Sequence, residues 1–118
     1  MRIEEIISEQ GATGFFWGPA FEDSYIEKKE SHPGMDAKYD EFVRVKSADI
    51  NARFGSKDYP FNSKGNANLA GYMHCHLAGD ALLIYRRDGN SIVMVYVATH
   101  REINEKNAKT TVKKFKTG

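Results

Sequence analysis

The 118-residue chain has the length of one domain, and its 41% of hydrophobic residues, which include seven Phe, six Tyr and one Trp, are sufficient for a buried core. Its net charge of +1 excludes a strongly basic protein that binds nucleic acid through overall charge alone. The longest apolar runs fall far short of the roughly 20 residues of a membrane span, so no membrane partner is predicted.

Cysteine content and the distribution of charge add two further expectations. Cys75 has no second cysteine with which to pair, and no charged start followed by an apolar stretch marks a secretory signal. Both features predict a protein of the reducing cytoplasm. Residues 106–116 contain five lysines and no acidic residue, so one end of the chain is locally positive.

Residues 3–18 are predicted to form a short helix and then a strand. Residues 3–10 place isoleucines at helical spacing, and Gly11 is suitable as a helix stop. The aromatic stretch at residues 13–18 is bounded by glycines and favours a strand. The domain is therefore expected to begin with a helical extension.

Two helices are predicted next, and together they form a helical hairpin. The first begins at Pro19 and ends by the turn at residues 31–34. The second begins with Asp36 as its N-cap and runs to about Phe54. The apolar residues expected on one face of the first helix are Phe21, Tyr25 and Ile26.

The remaining sequence favours β-structure. Residues 56–68 are polar and contain Pro and Gly, which indicates a long surface loop. The strand at residues 71–77 alternates between a wet face and a dry face, and a turn follows at residues 78–79. The wet face consists of Tyr72, His74 and His76, and the dry face of Met73, Cys75 and Leu77.

A β-hairpin is predicted after that turn. Its strands are residues 82–87 and 92–99, and the connecting residues 88–90 tolerate the positive φ of tight turns. Residues 101–115 fit either a short helix or a frayed tail. The predicted fold class is α+β, with the helical hairpin packed on a twisted antiparallel sheet.

Three polar residues, His76, Asp80 and His100, are expected to meet at one end of this sheet. His76 and Asp80 flank a turn, and the antiparallel hairpin returns His100 towards that turn. Cleavage of RNA needs a base for the 2′-hydroxyl and an acid for the leaving 5′-oxygen, and histidine suits both tasks because it titrates near neutral pH. A carboxylate can orient one of the histidines.

Two other interpretations of the histidines stay open at this point. They can be ordinary surface or hydrogen-bonded residues without a chemical role. Alternatively, His74 and His76 share a strand face and can bind zinc together with His100 or Asp80.

The segment at residues 71–85 reads Gly-Tyr-Met-His-Cys-His-Leu-Ala-Gly-Asp-Ala-Leu-Leu-Ile-Tyr, and Ala-Thr-His follows at residues 98–100. It resembles the core of the YafQ-type toxins of the RelE/ParE superfamily. Their pattern is Gly-Tyr, a strand ending in His, an Asp after a turn, an aliphatic strand and a Thr-His near the C-terminus. The resemblance is strongest over residues 71–103.

The resemblance implies a RelE-like fold and an endonuclease that cleaves mRNA on the ribosome without a metal or other cofactor. It also implies an antitoxin partner. His76, Asp80 and His100 take the positions of the family's catalytic residues. Tyr59 stands where the family has a further His, and Ala81 where it has a Trp.

The hypothesis from the sequence is therefore a single-domain, cytoplasmic, metal-independent endoribonuclease. The alternative is a non-catalytic binding protein on the same fold that inhibits a protein or ribosomal target, since a fold does not determine a function. The residues expected to bind RNA are Tyr59, Arg86, Arg87, Lys113 and Lys114.

Overall fold

The structure, a computed structural model, describes residues 4–7, 14–55, 58–60, 71–104 and 107–116. Its elements in chain order are β1 (Glu4–Ile7), β2 (Gly14–Trp17), α1 (Pro19–Lys29), α2 (Met35–Ala48), β3 (Tyr59–Pro60), β4 (Met73–His76), β5 (Ala81–Asp88), β6 (Ser91–Thr99) and α3 (Ala108–Lys116). None of the helices in these ranges is long and apolar enough to cross a membrane.

The strands of the described ranges form one sheet in the order β1-β2-β6-β5-β4-β3. Neighbouring strands are antiparallel, except that β2 and β6 run parallel. A parallel pair needs a long connection, and the two helices and three strands between β2 and β6 provide it. The predicted α+β class is confirmed, and so is the predicted antiparallel pairing of β4, β5 and β6.

The N-terminal segment forms a strand, and the prediction of a helix there was wrong. Glu4–Ile7 pairs antiparallel with Gly14–Trp17. The isoleucine spacing fits a helix locally, but an isolated helix this short is marginal, whereas strand pairing satisfies backbone groups of both segments. Residues 3 and 8–10 of the predicted helix lie outside the described residues.

The two helices occur in the predicted order, and the second differs at both ends. It begins at Met35, ahead of Asp36, because Gly34 adopts a φ of +88° that glycine reaches without strain. It ends at Ala48, well before the predicted Phe54. Phe54 is nevertheless buried, so the loop after the helix delivers this side chain to the core without helical structure.

The helical hairpin packs through aromatic rings. Tyr25 of α1 and Tyr39 of α2 meet edge to face with ring centroids 5.3 Å apart. Phe42 of α2 packs against Tyr85 of β5, with ring centroids 5.2 Å apart. Ile26 was expected on the same face as Tyr25 but is 61% exposed, because successive helical residues point about 100° apart around the axis.

A β-bulge changes which residues of β6 face each of the two cores. Ile84 pairs with Tyr96, and the next residue, Tyr85, pairs with Met94, so Val95 is the extra residue of β6. Met94 therefore packs beneath the helical hairpin, while Tyr96 packs in the core on which α3 lies. The buried residues of that second core are Leu82, Ile84, Tyr96, Ala98, Ile103, Ala108 and Val112.

A buried ion pair joins α2 to the residue before β3. Nζ of Lys46 lies 2.6 Å from Oδ2 of Asp58, and the two side chains are 4% and 1% exposed. The N–H of Phe54 donates to the same oxygen at 2.8 Å, and the hydroxyl of Tyr85 donates to Oδ1. Lys46 also donates to the carbonyl of Ala52 at 2.5 Å. Several hydrogen bonds thus accompany the charge pair.

Part of the segment predicted as a loop is ordered structure. Tyr59–Pro60 pairs antiparallel with β4 at the edge of the sheet, and Asp58 before it is buried. Residues 56, 57 and 61–68 of that predicted loop lie outside the described residues.

Candidate active site

The end of the sheet where β4 and β6 stop and β5 starts collects the histidines predicted from the sequence. Register pairs His76 with Leu82 and Ala81 with Thr99, so His76 and His100 reach the same edge. Their imidazole rings lie 5.1 Å apart between centroids, with an interplanar angle of 52°. The two side chains are close enough to act on neighbouring atoms of one substrate group.

The alternation along β4 sets the direction of His76. Cys75 and Leu77 are buried in the core beneath the helical hairpin. His76 lies between them in sequence and therefore points to the opposite face of the sheet, the face on which Tyr72 packs against the second core. The predicted alternation along this strand is confirmed, but the face predicted to be wet is half-buried, since Tyr72 packs on the second core.

The tight turn between β4 and β5 carries Asp80. The N–H of Ala81 donates to the carbonyl of Ala78 at 2.9 Å, and the N–H of Leu77 donates to the carbonyl of Ala81 at 2.9 Å. Gly79 has a φ of +57° in this turn, which glycine tolerates far better than other residues. The turn presents Asp80 at the surface, where its side chain is 57% exposed.

A fourth residue, His32, joins the cluster from the turn between α1 and α2. Its Nε2 lies 2.5 Å from Oδ1 of Asp80, which follows 48 residues later in the chain. Its Nδ1 lies 2.7 Å from the carbonyl oxygen of Lys28, and the side chain is only 11% exposed. Sequence reasoning left His32 in a turn outside the site, because no local feature indicates which distant turn lies beside it.

The hydrogen-bond partners of His32 determine its charge. A backbone carbonyl and an ionised carboxylate can only accept, so these two contacts, at 2.7 and 2.5 Å, favour an imidazolium that donates from both ring nitrogens; Oγ of Ser31 also lies 3.1 Å from Nδ1. The hydrogen bond with Asp80, followed by that with Lys28, raises the pKa of His32. The same contact lowers the pKa of Asp80. His32 and Asp80 therefore form an ion pair near neutral pH.

A capping box closes the turn that carries His100. The N–H of Thr99 donates to Oε1 of Glu102 at 3.0 Å, and the N–H of Glu102 donates to Oγ1 of Thr99 at 3.3 Å. Oε1 of Glu102 also lies 3.0 Å from Nζ of the buried Lys28. Lys28 thus binds the His100 turn through its ammonium group and His32 through its carbonyl. The Thr-x-x-Glu spacing is a sequence signal that predicts this turn.

Comparison with known families identifies part of the chain. Residues 56–105 match the family described as "Bacterial toxin of type II toxin-antitoxin system, YafQ". The chain carries a YafQ-type toxin segment. That segment includes His76, Asp80 and His100, and the predicted resemblance to YafQ-type toxins is confirmed over these residues. Among curated proteins, no sequence matches this chain.

Solved toxin structures share the fold at low sequence identity. The YoeB/ParE toxin from Agrobacterium tumefaciens has a TM-score of 0.55 and 19% identity, over 73% of this chain and 96% of that one. YafQ from E. coli strain BL21(DE3) has a TM-score of 0.55 and 19% identity, over 74% and 92%. A chain of the YoeB-YefM complex from Staphylococcus aureus has a TM-score of 0.53 and 19% identity, over 73% of this chain and 94% of that one. The predicted RelE-like fold is confirmed.

The predicted RNA-binding cations of the YafQ-type segment lie away from the histidines. Arg86 and Arg87 are exposed near the end of β5, about 16 to 20 Å along the strand from Ala81 at a rise of about 3.3 Å per residue. Lys113 and Lys114 are exposed on α3, beyond the YafQ-type segment. All four side chains have access to solvent, and Arg86 and Arg87 lie too far along β5 to line the histidine cluster.

The remaining predicted residues of the YafQ-type segment lie on β3 and β4. Tyr59 is the register partner of His74. His74 and His76 share one strand face, as the zinc interpretation requires. Within the described ranges, however, no group of three or more His, Cys, Asp or Glu residues has an arrangement that could hold a metal ion.

The His32–Asp80 ion pair predicts how stability depends on pH. The pKa of His32 is raised on folding, so protonated His32 stabilises the fold fully below its ordinary pKa of 6.5. This stabilisation is lost as pH rises through the higher folded-state pKa. The pKa of Asp80 is lowered on folding, so ionised Asp80 stabilises the fold fully above its ordinary pKa of 3.8. This stabilisation is lost as pH falls through the lower folded-state pKa. We expect the unfolding free energy of the wild type to exceed that of Asp80→Asn most between these limits. Urea titrations across pH test this, and a difference independent of pH contradicts it.

Proposed function

We propose that this chain is a metal-independent endoribonuclease that cleaves mRNA on the ribosome, as the toxin of a toxin–antitoxin pair. The observation that carries the proposal is the approach of His76 and His100, with ring centroids 5.1 Å apart. The YafQ family match and the toxin folds support the same class. The proposed place of action is the cytoplasm, where mRNA is translated.

The proposed reaction requires two proton transfers at one phosphodiester. One imidazole accepts the proton of the 2′-hydroxyl as the 2′-oxygen attacks phosphorus. The other, an imidazolium, gives a proton to the 5′-oxygen as the P–O5′ bond breaks. The products are a 2′,3′-cyclic phosphate and a 5′-hydroxyl, and the two histidines end in exchanged protonation states.

Asp80 has an electrostatic role in this proposal. The low pKa of Asp80 is caused first by the hydrogen bond with His32, and attraction to His100 adds to it. The carboxylate is the electrostatic partner of the two histidines, and either His76 or His100 can act as the base with the other as the acid.

Binding of RNA is assigned to exposed cations. Arg86 and Arg87 at the end of β5, and Lys113 and Lys114 on α3, are the proposed phosphate contacts. Because each such contact releases counterions, their contribution falls as salt concentration rises. The backbone of Tyr59 pairs with β4. We also propose that Tyr59 contacts RNA directly.

A cognate antitoxin belongs to the same proposal. One solved structure with this fold is a heterotetrameric YoeB-YefM toxin-antitoxin complex from Staphylococcus aureus. A chain with a YafQ-type toxin segment and the same fold requires an equivalent inhibitor in the cell if its nuclease is active. We infer a protein antitoxin that binds this chain.

An RNA cleavage assay tests the proposed function. The protein is stripped with EDTA, dialysed, and added to mRNA with and without ribosomes, in buffer that contains the Mg²⁺ needed by ribosomes. We expect full activity after stripping, strong dependence on ribosomes, and 5′-hydroxyl ends on the products.

Two outcomes would contradict this expectation. Activity lost on stripping and restored by zinc would support the metal interpretation with His74 and His76. Absence of cleavage under all conditions, with inhibition of translation retained, would support the non-catalytic binding protein. Failure of both activities would leave the proposed function without support.

A further inference from the structure

His32 is a half-buried imidazolium whose two ring nitrogens both have hydrogen-bond partners. Nε2 donates to Asp80 at 2.5 Å and Nδ1 donates to the carbonyl of Lys28 at 2.7 Å. Neither nitrogen is left to exchange a proton with a substrate. We propose that His32 is a positioning residue, which fixes the orientation of the Asp80 carboxylate beside His100.

The turn that carries Asp80 approaches His32 directly. A Cβ atom added at Gly79 would lie 3.2 Å from Cδ2 of His32, tighter than an ordinary contact. The same glycine has a positive φ of +57°. The absence of a side chain at residue 79 therefore allows the β4–β5 turn to rest against the imidazolium, and the ring limits the movement of the turn.

The anchor of His32 lies on α1. Lys28 is four residues before His32, and its carbonyl is among the last of a helix that ends at Lys29, where carbonyls lack partners within the helix. Lys28 itself is fixed, because its ammonium group is 3.0 Å from Glu102 in the turn that carries His100. His32 and His100 are thus positioned from the same residue.

A purely structural explanation of His32 is that it closes the end of α1. Two substitutions separate this explanation from the proposal. His32→Asn keeps a donor near the place of Nδ1, facing Lys28, and loses the contact with Asp80. His32→Gln keeps a donor near the place of Nε2, facing Asp80, and loses the charge and the contact with Lys28.

The inference rests on the proposed function, so the first measurement is RNA cleavage. We expect His32→Asn to lower kcat about 10²-fold with little change in KM, since displacing a catalytic group by about 1 Å has that effect. His32→Gln should lower it less than His32→Asn. The double variant His32→Asn/Asp80→Asn should be no slower than Asp80→Asn alone, because the effects act through one carboxylate.

The matched control is Lys29→Met, one residue after Lys28 on α1. Its ammonium group forms an exposed ion pair with Asp36 at 2.8 Å, away from the site. Cleavage by this variant should equal that of the wild type. Equal losses in His32→Asn and His32→Gln, in proportion to lost thermal stability, would show a structural role and overturn the proposal.

A second measurement needs no RNA. The carboxyl carbon of Asp80 is titrated by NMR in the wild type and in His32→Asn. The other ionisable groups that act on the pair are Lys28 from α1 and His100 from the turn after β6. We expect a titration midpoint below the ordinary value of 3.8 in the wild type and a rise towards it in the variant. An unchanged midpoint overturns the proposal, even where the wild type cleaves no RNA. A shifted midpoint without cleavage refutes the proposed function and leaves the ion pair established.

Discussion

Replacing His100 with alanine is expected to lower the rate of RNA cleavage by about 10²–10⁴-fold, because general acid and base groups contribute on that scale. The fold should survive, since His100 is exposed in a turn that the capping box of Thr99 and Glu102 closes without it. Single-turnover cleavage and thermal unfolding are measured on the same preparation. Arg101→Ala, an exposed neighbour in that turn, is the control for local disturbance.

Substitution of Lys113 and Lys114 provides the contrasting result. Replacing both with alanine should weaken association with RNA or ribosomes, with a larger effect at low salt, and leave the cleavage step unchanged in the bound complex. His100→Ala should instead slow the cleavage step and leave association with RNA or ribosomes almost unchanged. Full cleavage and full cellular effect in the His100 variant would exclude catalysis by this cluster and favour the binding protein.

Replacing Asp58 with asparagine is expected to destabilise the fold by about 3–5 kcal/mol, the range measured when one partner of a buried ion pair is removed. The substitution leaves the ammonium group of Lys46 buried, with a side chain only 4% exposed and no opposing charge. Urea unfolding at neutral pH measures the change. Asp40→Asn makes the same chemical change at an exposed position of α2 and should alter stability by less than about 0.5 kcal/mol.

A double-mutant cycle separates the ion pair from the other contacts of Asp58. Lys46→Met should be strongly destabilising alone, because it leaves the carboxylate buried without an opposing charge, with the Phe54 N–H and the Tyr85 hydroxyl as its remaining donors among the described residues. In the Asp58→Asn background the same substitution should cause a much smaller loss. Additive effects would show that the charges do not interact, contrary to their separation of 2.6 Å.

The sheet from β4 to β6 was predictable because its determinants are local. Alternation of polar and apolar side chains sets the faces of β4, and Gly79 and Gly89, with φ of +57° and +61°, allow the two turns. The bulge at Val95 was not predicted, because it depends on the cores that pack against the two faces of β6. The strand β1 was missed because its conformation depends on pairing with β2 and not on its own periodicity.

The order of the two helices was predicted correctly, whereas the residues at which α2 begins and ends were not. Pro19 marked the start of α1 because a missing N–H has no effect at the first helical position. The end of α2 at Ala48 was missed, because buried Phe54 continues the apolar pattern past the helix. An apolar pattern records burial, and loop residues can be buried too.

By itself the sequence determined three members of the cluster, His76, Asp80 and His100, together with their meeting at one sheet edge. It could do so because a turn and a hairpin, both local structures, connect them. Only the tertiary structure decided that Asp80 pairs with His32 and that Lys28 binds both His32 and the His100 turn. The contacts of His32 with Asp80 and of Lys28 with Glu102 join residues 48 or more apart in the chain, and they form only when the helices pack on the sheet.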